Sequence, residues 1–260
     1  MTDREVEEPL SGGFSNVVVR KGHTVRRHCG PWTPAVHALL VHLHDVGFGY
    51  APRALGIDDQ GREILTFIDG KTAWWPWPEV LLTDAGLRVV ARMVTRLAAA
   101  VEKFVDPPDA VWNGGPRADP SFRIRHGDLA PWNTVWNENE LVGLIDWDTA
   151  EPAPPLWDAA QGAWYFVPLR PAVGYQGDGS VSEAQRLHRF AVWCDEFGVT
   201  PDDLLAALRD VQRYERDRIA ERGAAGIEPY ATFLARGDLE AIDADRTWLR
   251  DHDARLRVCH

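Results

Sequence analysis

Three oxygen-bearing side chains follow one another at short intervals near the middle of this 260-residue chain. Asp128 stands five residues before Asn133, and Asp146 comes 13 residues later, directly behind an apolar run. The spacing H-x-D-L-x-x-x-N, followed by a strand and an aspartate, is typical of phosphoryl transfer. In that chemistry a carboxylate accepts the proton of the acceptor hydroxyl, and oxygen ligands hold Mg²⁺ against the phosphates. We therefore predict Asp128 as the base, with Asn133 and Asp146 as the metal ligands.

A hairpin is needed to return Asp146 to the loop that carries the base. Residues 134–136 and 141–145 have the composition of two short strands, and the polar residues between them favour a tight turn. We expect the two strands to pair antiparallel. This pairing would bring a metal-binding segment, residues 141–148, against a catalytic loop, residues 124–133.

The elements around these segments predict an α+β fold with two lobes. Residues 10–70 alternate short strands with turns and include one helix, predicted over residues 35–46. We expect a first domain of residues 1–70, rich in strands, with a hinge at residues 68–70. The second domain, residues 71–260, is expected to be mainly helical.

The helices of the second domain are predicted from apolar residues at helical spacing and from capping residues such as Thr83. The stretch 167–179, with its prolines and glycines, is predicted to be a mobile loop. The expected helices cover residues 84–105, 155–166, 182–197, 201–225 and 229–253.

Composition restricts the class of protein. The chain is 45% apolar and contains 12 Trp, 9 Phe and 5 Tyr, too much apolar surface for a disordered chain. The net charge of −11 argues against nucleic acid as a partner. Cys29, Cys194 and Cys259 lie far apart without CxxC spacing, as expected for a reducing cytoplasm. A polar N-terminus and the lack of long apolar runs predict neither a signal peptide nor a membrane partner.

The central motifs resemble those of the aminoglycoside phosphotransferase and choline kinase group, which is related to the protein kinases. The resemblance rests on HGDLAPWN at residues 126–133, LIDWD at 144–148 and PLWDAA at 155–160. It implies a protein-kinase-like two-lobed fold, with a small antiparallel β lobe and a larger, mainly helical lobe. It also implies that Asp158 begins a helix and braces the catalytic loop. The supporting residues implied by the motifs are His126, Asp148 and Asp158.

The resemblance places the nucleotide, ATP or GTP, in the first lobe. Residues 12–16 stand where the family has a phosphate-covering loop, and residues 67–70 where its hinge contacts the purine. Arg27 stands in place of the family's lysine, and His37 stands where the helix should supply a glutamate partner. We therefore expect Arg27 to lack the usual carboxylate clamp. The implied nucleotide-binding residues are Gly12, Gly13, Ser15, Arg27, Phe67 and Ile68.

The predicted function is a small-molecule phosphotransferase, with Mg²⁺ and ATP or GTP as cofactors. The acidic composition favours a cationic acceptor such as an aminoglycoside or another amino alcohol. The chain lacks GxxxxGK[ST], HExxH and GxSxG, which excludes a P-loop NTPase and the common hydrolase signatures. The composition leaves monomer and homodimer open.

Two alternative functions remain. The first is a kinase-like nucleotide- or ligand-binding protein with weak or no turnover, since both Arg27 and His37 depart from the family pattern. The second is a metal-dependent hydrolase that uses aspartates alone. The tryptophans just past the hinge, Trp74, Trp75 and Trp77, are expected to anchor the lobes, and a stacking platform for substrate is the other interpretation.

Overall fold

The computed structural model describes residues 6–10, 18–74, 76–171 and 181–258. In this part of the chain, the first lobe contains a five-stranded antiparallel sheet. Its strands are β1 (Glu8–Pro9), β2 (Val19–Lys21), β3 (Thr24–His28), β4 (Ala54–Ile57) and β5 (Arg62–Thr66). They lie in the order β1-β2-β3-β5-β4. The sheet lies beside helix α1 (Thr33–Asp45).

Helix α1 buries one apolar face, as its periodicity predicts. Pro34 lies in its first turn, where the missing N–H costs no hydrogen bond. The predicted face of Val36, Leu39, Leu40 and Leu43 is at most 1% exposed. The helix thereby joins an apolar core that is continuous between the two lobes.

Two small sheets form the frame of the site. Strand β6 (Lys71–Thr72) pairs with β8 (Thr134–Asn137), which pairs with β9 (Glu140–Leu144). The predicted antiparallel hairpin is therefore confirmed. Strand β7 (Arg123–Arg125) pairs antiparallel with β10 (Glu151–Ala153), and β10 is not among the strands expected from the sequence.

The helical region follows the predicted order of elements, with two differences. Thr83 caps α2 by accepting from the Gly86 backbone N–H, but the helix ends at residue 101, before the predicted end at 105. The predicted helix over residues 229–253 is divided by Gly237, whose left-handed φ of 90° ends α6. The helices are α2 (Asp84–Val101), α3 (Trp157–Phe166), α4 (Glu183–Phe197), α5 (Pro201–Ala224), α6 (Tyr230–Arg236) and α7 (Asp238–Arg257).

The fold is that of a small antiparallel β lobe followed by a mainly helical lobe, in agreement with the predicted class. None of the helices in the described residues is long and apolar enough to cross a bilayer. Only residues 167–171 of the predicted mobile loop lie in the described part.

Candidate active site

Helix α3 holds the catalytic loop through backbone groups. The Asp158 carboxylate accepts a hydrogen bond from the backbone N–H of His126 at 2.9 Å. One turn further along, the Gln161 amide accepts from the N–H of Leu129 and donates to the carbonyl of Gly127, both at 3.1 Å. Burial raises the pKa of Asp158 to about 6. The first turns of one helix thus determine the path of the loop.

The loop also requires a glycine at its second position. Gly127 has a φ of +84°, a left-handed conformation that other residues rarely adopt. A Cβ atom at this position would lie within 2.0 Å of the Thr149 carbonyl oxygen. The Thr149 hydroxyl in turn donates to the His126 carbonyl at 3.1 Å. The loop is therefore packed closely against the segment that follows Asp146.

The two carboxylate oxygens of Asp128 have different surroundings. Oδ2 accepts hydrogen bonds from Asn133 Nδ2 at 2.7 Å and from Trp132 Nε1 at 3.2 Å. Within the described ranges, no donor bonds to Oδ1. Burial and the negative charge of Asp146 raise the pKa of Asp128 to about 6, although both hydrogen bonds act in the opposite direction. Oδ1 is the oxygen left open to a ligand.

Asp146 follows strand β9 in a left-handed conformation, with φ of 66°. Its side chain is 54% exposed, and Oδ1 accepts from Arg27 Nη1 at 3.0 Å. His126 Nε2 lies 3.0 Å from the carbonyl oxygen of Ile145, so the loop and the end of the hairpin are joined directly. Burial lowers the pKa of His126 to about 4, which keeps this imidazole neutral at pH 7.

Arg27 has a carboxylate partner, contrary to the sequence-based expectation. Its Nε lies 2.5 Å from Oε1 of Glu63, the residue directly opposite it in the β3–β5 pairing. His37 contacts the other oxygen of the same carboxylate at 3.0 Å. The carboxylate partner of Arg27 therefore comes from the neighbouring strand, and His37 of helix α1 contacts that carboxylate.

The same guanidinium spans the two lobes. Arg27 Nη2 donates to Asp148 at 2.7 Å, in addition to the contact of Nη1 with Asp146. Arg27 is 7% exposed and Glu63 1% exposed. Three carboxylates raise the pKa of Arg27 against the effect of its burial. The two sides of the predicted nucleotide and metal sites therefore meet at one arginine.

The hinge residues make contacts of a different kind. The backbone N–H of Phe67 donates to the His23 carbonyl at 2.8 Å, and the Arg20 guanidinium lies 3.9 Å from the centre of the Phe67 ring. Ile68 packs against Gly143 of β9, where a Cβ would lie 2.8 Å from Ile68 Cδ1. The remaining predicted nucleotide-binding residues, Gly12, Gly13 and Ser15, lie outside the described residues.

The predicted metal ligands offer two oxygens. Because Asn133 Nδ2 donates to Asp128, the amide oxygen Oδ1 remains available as a ligand. Asp146 provides a half-exposed carboxylate. In the described part of the chain, no group of three or more His, Cys, Asp or Glu side chains is arranged to hold a metal. The donor set suits a cation such as Mg²⁺, which takes one or two protein ligands and completes its shell with phosphate oxygens and water.

Aromatic side chains line the site next to the loop. Trp132 makes edge-to-face contacts with Trp74, with ring centres 6.0 Å apart, and with Tyr165, at 4.9 Å. We call Trp74, Trp132 and Tyr165 the aromatic row. Trp77, by contrast, is buried as the predicted anchor, and Trp75 lies outside the described residues.

Sequence reasoning missed three kinds of site residue. Glu63 had a signal in its strand, because this charged residue alternates with the apolar Leu65 and shares its buried face. Trp132 had a signal in its place within the loop motif. Gln161 and Tyr165 had none, since they approach the loop only through the docking of α3.

Known proteins are similar to this chain in sequence. Residues 73–180 match a family model described as the phosphotransferase enzyme family. The chain is 34% identical over 197 residues to the trifolitoxin immunity protein of Rhizobium leguminosarum bv. trifolii, and the match covers 74% of each chain.

Solved structures of kinases have the same fold. An amicoumacin kinase in complex with AMP-PNP and Ca²⁺ superposes with a TM-score of 0.64 at 12% identity, covering 94% of this chain and 89% of that one. The GDP complex of aminoglycoside 2'-phosphotransferase-IIIa gives 0.59 at 16% identity, covering 98% and 94%. Choline kinases are also among the matched structures, in agreement with the resemblance seen in the sequence.

Proposed function

We propose that this chain, which belongs to the phosphotransferase enzyme family, transfers the terminal phosphoryl group of ATP or GTP to a hydroxyl group of a small molecule. The observation that carries the proposal is the asymmetry of Asp128, whose Oδ2 is held by two donors while Oδ1 is open. A base needs one oxygen directed at the reacting hydroxyl and a fixed orientation, and this arrangement supplies both.

In the proposed reaction, the acceptor hydroxyl gives its proton to Asp128 Oδ1 as its oxygen forms a bond to the γ-phosphorus. The bond from that phosphorus to the β–γ bridging oxygen breaks, and the nucleoside diphosphate leaves with the bonding electrons. A pKa near 6 keeps Asp128 ionised at neutral pH while leaving it able to take up a proton. Asn133 and Trp132 hold the carboxylate in place during the transfer.

We assign the nucleotide to the lobe of residues 1–70 and the acceptor to residues 71–260, on either side of the hinge at 68–70. Asp146 and the amide oxygen of Asn133 would hold Mg²⁺, which neutralises phosphate charge when bound. Arg27 donates one N–H of each Nη to Asp146 and Asp148, which leaves the second N–H of each Nη for a phosphate oxygen. Gly12, Gly13, Ser15, Phe67 and Ile68 remain the other proposed nucleotide contacts.

The named relative indicates what kind of acceptor to test first. That protein is called an immunity protein against trifolitoxin. We propose by analogy that the acceptor here is a compound harmful to the cell, and that phosphorylation abolishes its effect. Location in the cytoplasm belongs to the same proposal and agrees with the free thiols of Cys29 and Cys194.

One observation favours a second function, a kinase-like binding protein with weak or no turnover. Arg27 already engages Asp146, the proposed metal ligand, as well as Glu63 and Asp148. A guanidinium that remained in this position would compete with a cation for the Asp146 carboxylate. Binding of nucleotide without transfer would then be the whole activity.

The deciding experiment compares Asp128→Asn with the parent protein and with Asp59→Asn, an exposed aspartate in a turn of the first lobe. Single-turnover transfer from γ-labelled ATP and GTP is measured on a panel of hydroxyl compounds, together with thermal unfolding. We expect Asp128→Asn to keep its melting temperature and Mg-nucleotide affinity, while transfer falls by about 10²–10⁴. Asp59→Asn should behave as the parent.

Two other outcomes have clear meanings. If Asp128→Asn transfers phosphate at the parent rate, the proposed mechanism is wrong. If the parent binds nucleotide but transfers phosphate to no compound of the panel, the binding protein becomes the better interpretation.

A further inference from the structure

The aromatic row of Trp74, Trp132 and Tyr165 lies directly beside the proposed base. The indole N–H of Trp132 donates to Oδ2 of Asp128 at 3.2 Å, so the row begins at the carboxylate itself. An acceptor whose hydroxyl reaches the open Oδ1 must place the rest of its structure next to these rings. The row is therefore positioned to contact the body of the acceptor.

The exposure of the row is unusual for side chains of this size. Trp74 is 46% exposed and is the only tryptophan among the exposed large apolar side chains of the described ranges. Trp132 and Tyr165 are both partly exposed. Other tryptophans of the helical lobe, such as Trp147 and Trp164, are 1% exposed. Apolar surface left open next to a catalytic group is the usual mark of a ligand site.

Charged side chains of both signs lie around the row. The Arg170 guanidinium lies 5.0 Å from the centre of the Tyr165 ring, in the position that a ligand cation would take. Asp245, the nearby carboxylate, accepts a hydrogen bond from Trp164 Nε1 at 2.8 Å. The Asp128 and Asp245 carboxylates also act on Tyr165, so charges of both signs surround the row. The ring surfaces, and not the charges, therefore indicate the kind of acceptor.

We propose, on the basis of the proposed function, that the aromatic row is the acceptor site and that the acceptor carries its hydroxyl on or close to a flat ring. Ring faces and edges of Trp74, Trp132 and Tyr165 match such a ring by stacking and edge contacts. The short distance between Trp132 and Asp128 requires the hydroxyl to be attached directly to the ring or through a short chain.

The test uses ligand-observed saturation-transfer NMR on the full chain, with 2-phenylethanol and tyrosol as ring probes and with choline and kanamycin as cationic probes. We expect saturation of the ring protons of 2-phenylethanol and tyrosol in the parent. Trp132→Leu should weaken their binding by about threefold to tenfold, the effect of losing one aromatic contact. Trp132→Phe, which retains a ring, should recover most of the binding.

Trp248→Leu is the matched control. Trp248 is a partly exposed indole on α7 that stacks on His252 and is not part of the row, so its removal should leave the ring probes unaffected. Trp74→Leu provides a second row variant at a half-exposed position, so that the test remains available if Trp132→Leu does not fold. Circular dichroism and melting establish folding for each variant.

Stronger saturation of choline or kanamycin, lost in Trp132→Leu, would replace the proposal by a cation site. If both row variants bind the ring probes as strongly as the parent does, the row serves only in packing. Mg-ATP titration of the same samples separates the two levels of proposal. Ring binding that depends on the row, without phosphate transfer, supports the ring site and contradicts the proposed function. Phosphate transfer without row-dependent ring binding supports the proposed function and contradicts the ring site.

Discussion

Arg27 connects the two lobes at the proposed site. Its guanidinium is 7% exposed and lies between Glu63 of its own sheet and Asp146 and Asp148 of the other lobe. Buried charges of this kind are tolerated only while their partners remain, because an unpaired ion in a dry environment loses its hydration without compensation. A substitution intended to test phosphate binding therefore also tests folding.

We predict that Arg27→Met lowers the free energy of unfolding by about 3–5 kcal/mol, because Glu63 is left buried with His37 as its remaining partner. The double variant Arg27→Met/Glu63→Gln should regain part of this loss. Urea denaturation of the four proteins of the cycle measures both values. Arg246→Met is the control, since its ion pair with Asp243 is exposed. A single variant as stable as the parent would show that Glu63 does not depend on Arg27.

A second residue-scale prediction concerns pH. Burial lowers the pKa of His126 from 6.5 to about 4, so the unfolded chain binds this proton more readily than the folded one. The stability that His126 contributes is complete above pH 6.5 and is lost as the pH falls towards 4. We expect the stability difference between the parent and His126→Gln to shrink by up to about 1.4 kcal/mol per pH unit within this window.

Urea denaturation of both proteins at pH 7, 6, 5 and 4.5 measures this difference. Asp128 and Asp158 have pKa values raised to about 6, so their contributions change in the opposite direction as the pH falls. They are present in both proteins, and the comparison removes most of their effect. A difference that stays constant between pH 7 and 4.5 would contradict a neutral, buried His126.

At the scale of elements, α3 is the support of the catalytic loop. Its first turns supply Asp158 and Gln161. These side chains bond to backbone groups of His126, Gly127 and Leu129 in the loop. Backbone groups buried without partners are costly, so the loop and the helix are expected to gain their order together. Helix α5 carries a buried glutamine that makes no such bonds. Gln212 is fully buried, and neither polar atom of its amide has a hydrogen-bond partner in the described residues.

We predict opposite effects for the same change at these two positions. Gln161→Met leaves the Leu129 N–H and the Gly127 carbonyl unpaired and should lower the unfolding free energy by about 2–4 kcal/mol. Gln212→Met removes two unpaired polar atoms and should be neutral or stabilising. Chemical denaturation measures both variants against the parent. Equal losses at the two sites would mean that the loop contacts contribute nothing of their own.

At the scale of the whole molecule, a buried ionic network connects three distant segments. Arg125, at the end of β7 and next to the catalytic loop, bonds to Glu151 of β10 and to Glu215 of α5. Arg218 bonds to the same two carboxylates from α5, at 3.2 and 2.6 Å. The network ties the strand that enters the loop to the longest helix of the described residues.

We predict that Glu215→Gln costs about 3 kcal/mol of unfolding free energy, because both guanidinium groups lose part of their compensation in a buried position. Asp210 lies on the same helix and forms an exposed ion pair with Arg213. Asp210→Asn should therefore lower the free energy of unfolding by less than about 1 kcal/mol. The loss at Glu215 should persist in 1 M NaCl, since buried pairs are poorly screened. A loss that disappears in salt would place the network in contact with solvent.

Much of the fold was predictable because its signals are local. The apolar face of α1, the Thr83 cap of α2 and the hairpin of β8 and β9 all depend on residues only a few positions apart. The break at Gly237 had a local signal as well, a glycine within a helical pattern, but the flanking residues continue the helical spacing on both sides of it. The short pairs that involve β6 and β10 were not predictable, since each strand pairs with a partner far away along the chain.

The sequence by itself determined the order of the elements and the spacing of Asp128, Asn133 and Asp146, because a motif on one loop and the adjoining hairpin is defined by short-range geometry. Only the tertiary structure decided the partner of Arg27, since the β3–β5 register places Glu63 opposite it. It also decided that Tyr165 meets Trp132 beside Asp128, the proposed base, because that contact requires α3 to dock on the loop. Contacts across elements depend on packing and register, and residue spacing along the chain does not specify them.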